Sequence, residues 1–394
     1  MRSMAIMSSI AMVSVALSIV PPPAALPETT EITVPGPGFS VRITQTPFAM
    51  QVLNSSGQPV LTQVPGNGGP RLVHNESAKP LGVTPSEWLF PTRYTPFTFT
   101  VGTSSATPFP ISPLWLGDLW EAGTGGMQYA ATGVLSTRSL PQGQELTLST
   151  DDPSGRTLAV TLSVNSGRLR VSVVPSSTQG VVAMGDSFAS PSGERFAGFG
   201  GVHSGLDQRG ARFANWVQEA NVGAGPLSPV FNVLFASSGG PHYLFPGGPQ
   251  SAYYVQPQFV STAGYGFLLA QSELADWHLD SDRPDAWQVN VAAAHLDYEV
   301  AVGDTGQVIS ALSAVNGRHR VPPAWALGTQ LDRRIVTGQT AHDYAAVIRS
   351  DLANILAYNL PVTAYRIEAW LTLDPTVLRQ LISEFGAHGI HVLL

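Results

Sequence analysis

Val321-Pro-Pro-Ala-Trp-Ala-Leu-Gly-Thr-Gln-Leu331, Val362-Thr-Ala-Tyr-Arg-Ile-Glu-Ala-Trp370 and Ile390-His-Val-Leu-Leu394 are three apolar runs separated by two helical patterns. Trp325 to Leu331 reads as a short strand. Thr340 opens a helix, with Asp343 at the fourth position of a capping box. Tyr344, Val347, Ile348, Leu352, Ile355 and Leu356 then recur at helical spacing, and Pro361 ends the pattern. Val362–Trp370 reads as a second strand. Asp374-Pro375 is an N-cap followed by proline at the first helical position. That helix runs to about His388, Gly389 closes it, and Ile390–Leu394 begins a third strand. Repeating β-α units with short joints predict parallel strands with right-handed crossovers. Three such strands do not close a barrel, but they start one. Parallel strands are normally covered on both faces. The pattern therefore predicts the front part of a larger enzyme, with the bond-breaking residues in the remainder.

Upstream of Val321 the periodicity changes to two. Phe39-Ser-Val-Arg-Ile-Thr44, Thr157-Leu-Ala-Val-Thr-Leu-Ser-Val164 and Leu169-Arg-Val-Ser-Val173 alternate apolar with polar residues. Asn54-Ser-Ser-Gly57, Asp151-Asp-Pro-Ser-Gly155 and Asn165-Ser-Gly167 supply turns between them. Further strands are expected at Phe231–Phe235, Gly266–Ala270, Trp287–Val291 and Tyr298–Val302. Strands at this density predict an antiparallel β-sandwich. The expected organisation is multidomain, β plus α/β: a linker over 26–38, a sandwich over 39–320 and the start of a barrel over 321–394.

Composition narrows the function. Glycine and proline number 39 and 32 of 394 residues, while 43% of residues are apolar, which fits a turn-rich β-domain and not a disordered chain. Net charge is −7 and Lys79 is the only lysine, so there is no basic patch for a nucleic-acid partner. There is no cysteine, which excludes disulfides and thiolate chemistry. Arg2, the uncharged stretch Met4–Val20 and Pro21-Pro-Pro-Ala-Ala25 describe an export signal over 1–25. The expected location is secreted, periplasmic or at the cell envelope, with no stable membrane insertion once the signal is cleaved. An uncleaved anchor is the alternative, since about 17 residues is the short limit for a span. The histidines lack metal-ligand spacing, so no metal is expected. Asp276, Asp280, Asp282 and Asp285 cluster without an EF-hand pattern and read as a solvated turn. Gly198-Phe-Gly-Gly201 is not followed by a helix that would receive a phosphate.

One ordered set of motifs is specific. Gly193-Glu-Arg-Phe-Ala-Gly-Phe-Gly-Gly201 is followed by Leu206-Asp-Gln-Arg-Gly210 and Phe213-Ala-Asn-Trp216. Gln256-Pro-Gln-Phe-Val-Ser-Thr262, Gly264-Tyr-Gly-Phe267 and Val321-Pro-Pro-Ala-Trp-Ala-Leu-Gly328 come next. In this order and spacing they resemble glycoside hydrolase family 31, over roughly residues 39 to 394. The resemblance implies a galactose-mutarotase-like sandwich ahead of a (β/α)8 barrel and the chemistry of a retaining α-glycosidase, with no cofactor. It places both catalytic aspartates on later barrel strands, so no catalytic residue is assigned in this chain. Trp216-Val-Gln-Glu-Ala-Asn-Val-Gly223 and Leu327-Gly-Thr-Gln330 are similar to the sulfoquinovosidase-like branch, where a glutamine at the position of Gln330 binds sulfonate. Glu368 departs from that pattern and fits a neutral sugar better, because like charges repel at close range.

The strand pattern points to the same region. Active sites of β/α barrels lie at the C-terminal ends of the strands. Gln330 and Asp332 end the first strand, and Glu368 and Trp370 the second. Carboxylates and amides bind sugar hydroxyls, and an indole packs on the apolar face of a sugar. These four residues, with Asn215 and Gln218 of the sandwich loop, are the expected contacts to a carbohydrate. The plain structural readings are a surface ion pair of Asp332 with Arg333 or Arg334, and packing by Trp370. Two other functions compete: a non-catalytic carbohydrate-binding module, and a sugar epimerase using His203, His278 or His295 with a carboxylate.

Overall fold

The structure, a computed structural model, describes residues 31–66, 68–75, 93–108, 120–202, 205–215, 252–335 and 339–394. The expected export signal over 1–25, Gln218, His203 and the strand Phe231–Phe235 lie outside them. The chain divides into two compact units, one up to Asn316 and the other from Gly317.

The first unit is mostly antiparallel sheet. Strands β1 (Glu31–Gly36), β2 (Phe39–Gln45), β3 (Phe48–Asn54) and β4 (Pro59–Thr62) form a meander in chain order. The stretch read as a linker thus contains a strand, because Ile32 and Val34 pair against Ile43 and Val41. The next strands are β5 (Arg71–Asn75), β6 (Thr98–Pro108), β7 (Trp120–Leu140), β8 (Gly143–Thr150), β9 (Leu158–Asn165), β10 (Arg168–Pro175) and β11 (Val181–Ala189). They are followed by β12 (Phe196–Val202), β13 (Arg212–Ala214), β14 (Ala252–Ser261), β15 (Tyr265–Leu269), β16 (Ala275–Leu279), β17 (Ala286–Val291) and β18 (Leu296–Val302). These fourteen make one antiparallel sheet. Long β7 pairs with β6 up to Ala130 and with β8 from Ala131, so it passes from one half of the sheet to the other.

The halves fold over one another around an aromatic core. Trp277 and Trp287 from β16 and β17 meet Phe259, Tyr265 and Phe267 from β14 and β15. Ring centres of Phe267 and Trp287 are 5.1 Å apart, and those of Phe259 and Trp287 are 5.2 Å apart, both edge-on. The alternation read in the sequence explains the lining: Val41, Ile43, Val160, Leu162, Leu169, Val171 and Val173 all point into this core. The glycines of Gly198-Phe-Gly-Gly201 serve pairing. Gly200 sits at φ +82°, and a Cβ there would stand 2.3 Å from the carbonyl oxygen of Tyr254 on the neighbouring strand. Only glycine fits such an approach.

One helix in this unit departs from the all-β expectation. Asp304 accepts from the Gln307 N–H while Gln307 accepts from the Asp304 N–H, both at 2.9 Å, which is a reciprocal cap. Helix α1 (Thr305–Asn316) follows and seats Val308 and Leu312 on Leu268 and Ala301. The strand beneath makes room with Gly266, where a Cβ would lie 2.3 Å from Val308.

The second unit alternates strand and helix. Strands β19 (Thr329–Arg333), β20 (Val362–Ile367) and β21 (His391–Leu393) are parallel in the order β19-β20-β21. Helices α2 (Ala341–Ala357) and α3 (Pro375–Gly386) connect them. Thr340 and Asp343 form the expected capping box, and Asp374 caps α3 with Pro375 at its first turn. Tyr344, Ile348, Leu352, Ile355, Leu381 and Phe385 pack on Tyr365 and Ile367. Two boundaries differ from expectation. Ala324–Leu327 is a 3₁₀ turn before β19, since its residues lie outside the sheet pairing. Strand β20 stops at Ile367, where the chain turns into a second 3₁₀ segment, Trp370–Thr372. No helix among the described residues is long and apolar enough to cross a membrane.

Candidate functional site

Register decides which side chains share a face of the three-stranded sheet. Gln330 pairs with Ala364, Asp332 with Arg366, and Ala364 and Arg366 with His391 and Leu393. Paired residues project to the same side, and neighbours in sequence to opposite sides. Tyr365 and Ile367 enter the helix-side core. Arg333 also turns that way, donating to Asp351 of α2 through Nε and Nη2, both at 2.7 Å. The Asp351 carboxylate is further fixed by the Tyr365 hydroxyl at 2.5 Å. The other face, which neither α2 nor α3 covers, therefore carries Gln330, Asp332, Arg366 and His391.

That face is polar and largely open. Arg366 donates from Nη1 to Asp332 Oδ2 at 2.7 Å, with both side chains half-exposed. The partner of Asp332 is thus Arg366 across the strand pair, not the neighbouring Arg333 or Arg334. Gln330 donates from Nε2 to the Ala326 carbonyl at 2.8 Å, which steadies an otherwise exposed amide. Trp325 stacks on the His391 ring at 4.2 Å and 19°.

Glu368 and Trp370 lie past the end of β20, not on it. The Glu368 N–H donates to the Arg333 carbonyl at 3.0 Å, and its side chain is exposed. Trp370 is half-buried against the helix-side core, in a turn held by the Thr372 hydroxyl donating to the Ala369 carbonyl at 2.7 Å. Strand alternation therefore does not align these two residues. Packing takes up part of the Trp370 indole. Arg366 is the residue that sequence reasoning passed over. Its signal was its place two residues before Glu368, opposite the face of Tyr365 and Ile367.

In the first unit, Asn215 directly follows β13 and donates its N–H to the Ala275 carbonyl at 2.7 Å. The Asn215 Oδ1 is buried without a hydrogen-bond partner. Of the four aspartates read as a solvated turn, Asp282 and Asp285 are exposed as expected, and the other two are not. Asp276 and Asp280 are buried. Asp280 accepts from Ser190 Oγ and faces Arg209 Nη1, each at 2.8 Å. His278 is fully buried, with Nε2 at 2.6 Å from Asp276 and Nδ1 at 2.5 Å from Asp282. Strand β16 is buried along its whole length, which hides Asp276 and His278 and which local composition does not reveal. Both ring nitrogens of His278 are engaged by carboxylates, so the epimerase reading finds no free base there. His295 is partly exposed, with Nε2 3.8 Å from Glu273.

A groove of about 600 Å³ on the first unit is lined in part by Arg170, Gln271, Glu273, His295, Glu299 and Asn316. It contains none of the expected sugar contacts. Among the described residues no group of three His, Asp or Glu side chains is placed to hold a metal.

No protein-family model matches the chain. The alpha-xylosidase XylQ of Lactiplantibacillus pentosus is 24% identical over 136 residues, 32% of this chain and 17% of that protein. The isomaltosyltransferase of Sporosarcina globispora is 24% identical over 191 residues, 47% of this chain and 15% of that protein. The matches thus span less than a fifth of each curated relative. Among solved structures, a family 31 glycoside hydrolase, the sulfoquinovosidase from E. rectale in complex with the aza-sugar inhibitor IFGSQ, aligns with a TM-score of 0.57 at 15% identity. The alignment covers 75% of this chain and 43% of that one. The cycloalternan-forming enzyme from Listeria monocytogenes, in complex with a pentasaccharide substrate, aligns with a TM-score of 0.50 at 12% identity, over 90% of this chain and 35% of that one. The structural neighbours are thus family 31 enzymes, as the ordered motifs led one to expect, and the likeness is one of fold.

Proposed function

We propose that this chain is the N-terminal portion of a retaining α-glycosidase, a mutarotase-like sandwich followed by the first three strands of a (β/α)8 barrel. Its substrate is a terminal α-glycoside, in keeping with the α-xylosidase and isomaltosyltransferase matches. The observation that carries this reading is the polar face of the β19-β20-β21 sheet, which neither α2 nor α3 covers. In a β/α barrel that side is the barrel interior, and its C-terminal end opens on the substrate. Gln330, Asp332 and Glu368 supply hydrogen bonds to sugar hydroxyls there, and Trp370 a partial stacking surface. Asn215 and Gln218 add contacts from the sandwich loop. The protein is exported, with residues 1–25 removed, which sequencing of the mature N-terminus tests.

Retention of configuration needs two carboxyl groups about 5–5.5 Å apart, a nucleophile and an acid/base. On the polar face Asp332 is already paired with Arg366, and no second strand carboxylate accompanies it. The resemblance implies a catalytic pair on later barrel strands, outside this chain, and the polar face is in keeping with that. Purified free of host enzymes, the 394-residue chain is expected to leave α-glucosides and α-xylosides intact. Release of sugar by it would place the catalytic pair within these residues. In an enzyme with the complete barrel, Glu368→Ala removes charge-assisted hydrogen bonds to the sugar, about 1.5–3 kcal/mol each. That corresponds to a loss of roughly ten- to a hundred-fold in kcat/KM. Full activity with a lowered melting temperature would make Glu368 a scaffold residue.

A further inference from the structure

The edge of the fourteen-stranded sheet is held by an arrangement that the sugar site does not require. Strand β13 has three residues and, among the described residues, pairs with β16 alone. A strand this short contributes little through its ladder alone. Its Arg212 lies in register with His278, with guanidinium nitrogens 3.6 Å from Asp276 and 3.9 Å from Asp282. Those two carboxylates are the ones that flank the imidazole. Two cations and two anions thus alternate around one point at the sheet edge, and the ring at its centre has no exposed surface.

A neutral imidazole has one N–H and one lone pair. Here both nitrogens face carboxylate oxygens within 2.6 Å. Only the imidazolium satisfies both contacts. The neutral ring would aim a lone pair at a carboxylate and leave the buried Asp276 and the partly exposed Asp282 against Arg212 alone, a costly imbalance for the buried member. We infer that His278 is a protonated latch that fastens the edge strand β13, and Asn215 behind it, to β16, and that loss of its proton loosens this edge.

The surroundings agree. Burial disfavours the charged ring and Arg212 repels it. The Asp276 charge and the hydrogen bonds to Asp276 and Asp282 outweigh both, so the pKa of His278 is raised above the usual 6.5. Burial also opposes ionisation of Asp282, yet His278 and Arg212 hold its pKa below the usual carboxylate value. The remaining neighbours add no competing titration near neutrality. Gln288 and Asn290 face the cluster from β17 and do not titrate. Tyr94, from the segment before β6, has its phenol pushed up by burial and by Asp282. Arg283 is drawn to Asp285 in the turn outside. A raised histidine pKa gives stability that is complete below the unfolded value and lost as pH rises through the folded one. The latch is therefore fully closed at pH 6.5 and below, and opens as pH rises through the raised pKa of His278.

Amide hydrogen exchange on the full chain tests this locally. The Asn215 N–H bonds to Ala275 and the Gly210 N–H to Leu279, at 2.7 and 2.6 Å. Their protection, corrected for intrinsic exchange, is expected to fall by about tenfold or more between about pH 6 and pH 9, while amides shared by β9 and β10 hold theirs. In His278→Gln the step with pH disappears and the edge is loose throughout. Should that variant not fold, the wild-type protein still decides through its ring ¹⁵N shifts. Two protonated nitrogens on His278 at about pH 6.5 support the latch. A neutral ring at that pH, pH-independent protection at Gly210 and Asn215, or an equal drop across β9 and β10 would each overturn it.

Discussion

Above about pH 7, where its carboxylate is ionised, Asp186→Asn is expected to destabilise the first unit by about 3 kcal/mol or more, from losing charged hydrogen bonds worth roughly 1.5–3 kcal/mol each. Asp186 lies on β11 with only 1% of its surface exposed. Its Oδ1 accepts from the Gln63 amide at 3.0 Å, the Ser187 N–H at 2.9 Å and the Phe97 N–H at 3.3 Å. Its Oδ2 accepts from the same Gln63 amide at 2.8 Å and from the Tyr298 hydroxyl at 2.9 Å. Every neighbour is a donor, so an asparagine NH₂ would face donors whichever way it turned. Urea unfolding should show a lower midpoint with an unchanged slope. An unchanged midpoint would mean that these contacts contribute no net stability. The pH dependence gives a second reading. Burial pushes the Asp186 pKa up to about 7 against the pull of its donors. Between the unfolded value of 3.8 and about 7 the folded state holds the extra proton, so stability on this group's account falls as pH rises. The variant should lose that slope.

Trp287→Ala should cost about 3–5 kcal/mol, the range for removing a buried aromatic residue from a core. The indole lies 4.5 Å from Phe188 in a stacked pair and is met edge-on by Phe259 and Phe267. Its N–H donates to the Tyr265 hydroxyl at 3.0 Å, which links β17 to β15. The substitution therefore opens a cavity where the halves of the sheet meet and leaves a buried phenol short of a donor. Trp325→Ala, in the second unit, provides the contrast. Among the described residues its half-buried ring stacks on His391 alone, and its loss should cost much less. Equal losses from the two replacements would contradict the assignment of Trp287 to the shared core.

Local chemistry made the second unit legible. A capping box at Thr340, a proline after Asp374 and an apolar stripe on each helix are all short-range signals, and the structure keeps them. Helix α1 was missed, although Asp304-Thr-Gly-Gln307 followed by Val308 and Leu312 signals it, because those residues are surrounded by strand-like sequence. The end of β20 was not legible. Nothing in Ile367-Glu-Ala-Trp370 stops the alternation, and the turn arises because Trp370 and Leu373 pack against the helix layer. The site divides the same way. Residue types with affinity for sugar hydroxyls can be read singly, whereas the Asp332–Arg366 pair spans 34 positions and exists only through parallel register. Likewise, Asp276, Asp282 and His278 look like a hydrophilic loop until sheet pairing buries two of them.

The Tyr298–Asp186 bond that joins the two halves of the sheet also sets an order of events during synthesis. Its partners lie 112 residues apart, and the Arg168–Glu299 ion pair that steadies α1 spans 131. A ribosome adding about 5–20 residues per second needs roughly 6–22 s to go from one partner of the first pair to the other. Throughout that interval β11 has emerged with β8, β9 and β10 of the facing half but without β15 and β18, so part of its apolar face stays uncovered. Contacts of such long sequence separation also slow the folding search itself. The nascent first unit thus keeps unpaired sheet edges for many seconds, the condition in which strands pair with other chains, until β18 arrives.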